Sequence, residues 1–124
     1  MDYIIPESKL NGAIYEYLMD VFDIKNLRKA PYIDESGETY DSSFDFLDED
    51  GDTIFLWSSP EFFKNFAMIS KDRRDKLIKQ SPVVELTDTD IKQKLNSIFG
   101  DLWRPVLKQI FEKEFGLEVK SFYS

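Results

Sequence analysis

Five acids crowd the stretch Asp45-Phe46-Leu47-Asp48-Glu49-Asp50-Gly51-Asp52. Carboxylates at this density suit two kinds of chemistry, coordination of a hard divalent cation or attraction of a cationic surface. Other routes are closed by composition. With Cys 0 and His 0, the chain has no disulfide, no zinc site built on sulfur or imidazole, no Cys or His nucleophile and no Ser-His-Asp or Cys-His constellation.

The spacing of the acidic turn argues against an EF-hand. Such a loop needs Asp at its first position, Gly at its sixth and Glu at its twelfth. Setting Gly51 sixth puts Phe46 first and Trp57 twelfth. A looser divalent-ion site on Asp48, Asp50 and Asp52 is an alternative, but a solvated hairpin turn uses the same residues. Glu118-Val119-Lys120 resembles the Glu-x-Lys half of a metal-dependent nuclease, where alternate residues of a strand point an acid at the metal and a lysine at phosphate. The Pro-Asp turn expected on a neighbouring strand is missing, since Pro82 precedes Val83. Metal and cofactor are therefore not expected.

Charge distribution is more informative than net charge, which is -8 from 16 basic and 24 acidic residues. From Lys29 to Lys64 no base occurs, while Asp34, Glu35, Glu38, Asp41, Asp45, Asp48, Glu49, Asp50, Asp52 and Glu61 fall in the interval. The rest of the chain holds 14 acids and 16 bases, so the negative excess lies in this one segment. Directly after it, Lys64, Lys71, Arg73, Arg74, Lys76 and Lys79 face only Asp72 and Asp75. This basic run can hold phosphate beside Phe62, Phe63 and Phe66, or pair internally with the acids. The overall charge disfavours direct binding to nucleic acid. Like charges held along one segment oppose compaction, so their retention points to solubility or to recognition of a basic partner. In the second case Asp45, Asp48, Glu49, Asp50 and Asp52 form a rigid tip, with Phe46 and Trp57 as aromatic anchors near it.

These residues need a scaffold, and 124 residues of which 42% are hydrophobic and 15% aromatic support one core. Leu10, Ile14, Tyr17, Leu18, Val21 and Phe22 recur at helical spacing, with Pro6 in the first turn. Residues 23–42 read as irregular, with extended pieces around Ala30–Ile33 and Glu38–Tyr40. A hairpin follows, Ser43–Leu47 and Thr53–Trp57 joined through Asp50-Gly51. Ser59-Pro60 opens a short helix through Phe62, Phe63 and Phe66, although Phe66–Ile69 also suits a strand. Ser70–Gln80 is a turn or short helix, and Val83–Leu86 a brief strand. Two helices come next: one from the Thr87–Asp90 caps to Gly100, and one capped by Asp101 that ends at Gly116. Leu117–Tyr123 alternates as a last strand. The expected fold is α+β, a single small domain over 1–124 with an antiparallel or mixed sheet and about three helices on one face.

The segment Ile5-Pro6-Glu7-Ser8-Lys9-Leu10 running into Ile14-Tyr15-Glu16-Tyr17-Leu18, and Val106–Phe111 running into Gly116–Lys120, resemble small uncharacterised proteins of tailed bacteriophages in order and spacing. The likeness covers about a third of the chain. It implies a virus-encoded protein in a bacterial cell and transfers no site residue.

The opening carries Asp2 where a secretory leader needs basic residues, and no apolar run approaches the roughly 18 residues of a membrane span. A cytoplasmic protein with no membrane association is expected. The function expected from these features is a non-enzymatic acidic interaction protein that binds a basic protein surface, of inhibitor or nucleic-acid-mimic type. The alternatives are a divalent-metal carboxylate enzyme and a structural or virion-associated subunit.

Overall fold

The computed structural model describes residues 7–66 and 69–123. Pro6 lies outside them, as do Ala67 and Met68, on which the strand alternative for Phe66–Ile69 depended.

Helix α1, Glu7–Val21, ends where Asp23 takes a left-handed conformation (φ 49°, ψ 51°), which Asp tolerates better than most residues. A 3₁₀ turn, Ile24–Asn26, then leads into strand β1, Arg28–Ile33. Strand β2 spans Thr39–Leu47 and β3 spans Thr53–Ser58. The extended pieces expected within 23–42 are thus full strands, because each finds a ladder partner that local sequence does not reveal. Helix α2, Pro60–Asn65, has the Ser59 hydroxyl accepting from the Phe62 N–H and Pro60 in its first turn. Helix α3, Lys71–Gln80, is capped in the same way by Ser70. Strand β4, Val83–Leu86, precedes helix α4, Thr89–Phe99, whose Asp88 cap accepts from the N–H groups of Asp90 and Ile91. Helix α5 is Trp103–Phe115. Its expected cap does not form: Leu102 holds the cap position, and Asp101 instead pairs with Arg104. Strand β5 is only Ser121–Tyr123, shorter than the expected Leu117–Tyr123, and the backbone N–H groups of Lys120 and Ser121 both reach the Pro82 carbonyl at its start.

The sheet order is β1-β2-β3-β4-β5, antiparallel except for the parallel β4–β5 pair. This is the α+β mixed sheet expected from the sequence. Alternation sends two cross-strand rows to one face, Phe44–Trp57–Val84–Phe122 and Phe46–Phe55–Leu86. Against that face α1, α4 and α5 place Ile14, Leu18, Leu95, Val106, Leu107, Ile110 and Phe111, forming the main core. These are the three expected helices. The sheet also carries two more, because α2 and α3 cover part of the opposite face through Phe62, Phe63 and Leu77 packed on Val83.

Small side chains allow that second contact. The row beneath the pair is Ser43–Ser58–Val83–Ser121. Ser43 and Ser58 are buried with their hydroxyls 3.0 Å apart, and Ser43 donates to the Trp57 carbonyl at 3.0 Å. Burying these hydroxyls is tolerable because each has a partner.

Candidate functional site

The β2–β3 turn gathers carboxylates through its own backbone. Asp48 Oδ1 accepts from the N–H groups of Asp50 and Asp52, each at 2.9 Å, and Gly51 supplies the positive φ of 84° that closes the turn. As a result Asp48, Asp50 and Asp52 bring carboxylate oxygens within 4.8 Å of one another. Glu49, Asp50 and Asp52 are exposed, and Asp48 is half-buried. Sequence reasoning missed a neighbour. Asp23, from the end of α1, shares a shallow cleft with Asn26, Asp48, Glu49 and Asp50, and its carboxylate accepts from Asn26 Nδ2 at 2.7 Å. No spacing rule links position 23 to position 48; only the tertiary fold does.

The other acids of the segment are elsewhere. Asp34, Glu35 and Glu38 form the β1–β2 turn at the far end of β2, about 25 Å away at 3.3 Å per residue. Within that turn Asp34 accepts from the Ser36 hydroxyl at 2.6 Å, from the Glu38 N–H at 3.0 Å and from the Tyr40 hydroxyl at 3.0 Å. The Ser36 hydroxyl, with the other donors, holds the Asp34 carboxyl below its usual range. Asp41 and Asp45 lie within β2 and Glu61 on α2, so the ten acids are spread over two turns, the strand between them and a helix, and do not form one platform.

Phe46 and Trp57 are not surface anchors. Phe46 is 0% exposed and packs against Phe111 and Phe115, with ring centroids 5.4 and 4.5 Å away. Trp57 is 8% exposed, stacks on Phe44, and donates its indole N–H to the Glu118 carbonyl at 2.9 Å. Strand alternation puts both on the core face, and Asp45 on the opposite one.

On that opposite face Asp45, Leu56 and Glu85 stand in one cross-strand row. Asp45 and Glu85 are half-buried, and among the described residues neither carboxylate accepts a hydrogen bond or forms an ion pair. Burial pushes the Asp45 carboxyl up. Beside this row lies a cavity of about 290 Å³, bounded by Leu56, Glu85 and Ser58 from the sheet and by aromatic and aliphatic groups of α2 and α3.

The basic run does not neutralise the acidic turns. Arg73 of α3 donates to the Tyr123 hydroxyl at 2.8 Å, and the ion pair found among the described residues is Arg104–Asp101. Lys120, the lysine of the nuclease-like triplet, donates to the Lys79 carbonyl at the C-terminus of α3, where a cation meets the negative end of the helix.

No protein-family model matches this chain, and comparison with curated proteins and with solved structures gives no match. No described helix is long and apolar enough to cross a membrane.

Proposed function

We propose that this is a non-enzymatic interaction protein whose β2–β3 turn presents carboxylates to a basic surface of a partner protein. The observation that carries the reading is the convergence of Asp48, Asp50 and Asp52 within 4.8 Å on an exposed turn, beside Asp23 and with no paired base among the described residues. Unpaired carboxylates at this spacing repel one another, and a cationic partner relieves that repulsion. The partner-facing set in this reading is Asp23, Asp48, Glu49, Asp50 and Asp52. Occupying a surface that otherwise takes phosphates makes the protein an inhibitor or nucleic-acid mimic, and its setting is the bacterial cytoplasm as the product of a tailed phage.

The test is affinity capture from a bacterial lysate with the wild-type chain and the Asp48→Asn/Asp50→Asn/Asp52→Asn variant, at low and high salt. The reading requires a basic protein that wild type retains at low salt, releases at high salt and loses with the variant. Retention of the same proteins by both chains overturns it.

A further inference from the structure

We propose that the cavity on the second sheet face is a binding site for a small protonated organic amine with an apolar body. This site is remote from the acidic turn and does not rest on the reading of that turn.

The shape comes from incomplete coverage. Helices α2 and α3 lie over the serine row, and the neighbouring row with Leu56 and Glu85 borders the space they leave. The volume of about 290 Å³ lies at the small end of ligand pockets, which restricts the occupant to a compact molecule. Its walls are chiefly apolar. Phe62 and Phe66 stack with centroids 5.1 Å apart, and Tyr32 meets Phe62 edge-on at 5.6 Å. Aromatic faces and aliphatic neighbours such as Leu77 accept a hydrocarbon body, and the rings attract a cation placed over them.

The polar groups set the sign of the ligand. Glu85 reaches the cavity from the middle of β4, half-buried and without a protein partner among the described residues. Asp45 lies two strands away across Leu56, about 10 Å along the row, and adds negative potential from the same face. Arg73 also lines the cavity and keeps its positive charge, since the Tyr123 hydroxyl it donates to is neutral, but it is exposed, where solvent screens that charge, and it forms no ion pair with Glu85. The charge on the sheet side of the cavity, half-buried and less screened, is a carboxylate. An ammonium group satisfies it while the attached carbon skeleton displaces water from the aromatic wall.

Three probes of one shape separate the alternatives: phenethylamine, phenethyl alcohol and hydrocinnamate, each titrated into the wild-type chain at neutral pH and followed by amide NMR shifts. The amine is expected to saturate, to move the resonances of Leu56, Phe62 and Glu85, and to bind about tenfold or more tightly than the alcohol, a difference of about 1.4 kcal/mol. Glu85→Gln is expected to remove that preference. Equal binding of amine and alcohol, tighter binding of hydrocinnamate, or no saturable shift at these residues overturns the proposal. The comparison of probes on the wild-type chain needs no variant, so it stands even where Glu85→Gln fails to fold.

Discussion

Asp45 on β2 and Glu85 on β4 flank Leu56 in one row of the sheet, two half-buried carboxylates on the face opposite the main core. The register that aligns them also sends Phe46 and Trp57 into that core. A single strand thus gives adjacent residues separate roles, since Phe46 stabilises the domain while Asp45 lies on the opposite face beside it.

Asp45 sets a pH dependence. Burial raises its folded-state pKa above the unfolded value, so proton uptake favours the folded chain. The stability it contributes is complete below the unfolded pKa and is lost as pH rises through the folded one. Asp45→Asn is therefore expected to be more stable than wild type at neutral pH and equal to it in strong acid. Urea midpoints measured across that range check this, and a destabilised variant at neutral pH would show that the carboxylate has a partner.

Phe46 should behave as core and not as a binding residue. Phe46→Ala removes a ring that is 0% exposed and packed on Phe111 and Phe115, and a cost of about 3–5 kcal/mol is expected. Asp50→Asn, on the exposed turn, should shift stability by no more than about 0.5 kcal/mol. Equilibrium denaturation of the two variants decides the assignment, which near-equal midpoints would refute.

Local signals placed the elements that carry their own punctuation. Ser59-Pro60 and Asp88 start helices as their side chains predict, and Asp50-Gly51 closes a hairpin, whereas Ser70–Gln80, open between turn and helix in the sequence, is a helix capped by Ser70. The alternation of Ser43–Leu47 separates Asp45 from Phe46, and nearness to the acidic turn does not imply exposure. What was not legible depends on register and long-range contact. The Asp45–Leu56–Glu85 row exists only once three strands are aligned, and Asp23 meets Asp48 only because α1 ends beside the hairpin. Covering both sheet faces was hidden for a similar reason: the serine row that admits α2 and α3 comes from four strands.

Tyr40 offers a spectroscopic check on the far turn. Burial, reinforced by its hydrogen bond to Asp34 and by the charges of Asp34 and Glu38, pushes its phenol up to about 12. Its stabilising contribution is complete below about 10, the ordinary tyrosine value, and is lost as pH rises through about 12. Burial raises Tyr15 and Tyr32 as well, so ultraviolet titration should show a late phenolate absorbance that loses one tyrosine's amplitude in Tyr40→Phe. An unchanged late amplitude would refute the assignment to Tyr40.

At Asp48 the same carboxylate shapes the turn and contributes to its charge, so the choice of substitution matters. Asp48→Ala strips an acceptor from the N–H groups of Asp50 and Asp52 and should cost about 1–2 kcal/mol. Asp48→Asn keeps an oxygen in that place while removing the charge, and should fold with a change of about 0.5 kcal/mol or less. Thermal melts of the two variants test this directly. A loss on Asp48→Asn as large as that on Asp48→Ala would mean that the turn depends on ionisation itself. Given the expected difference, any partner lost on the asparagine variant is lost for want of negative charge, because the backbone that aims Asp50 and Asp52 outward remains as it was.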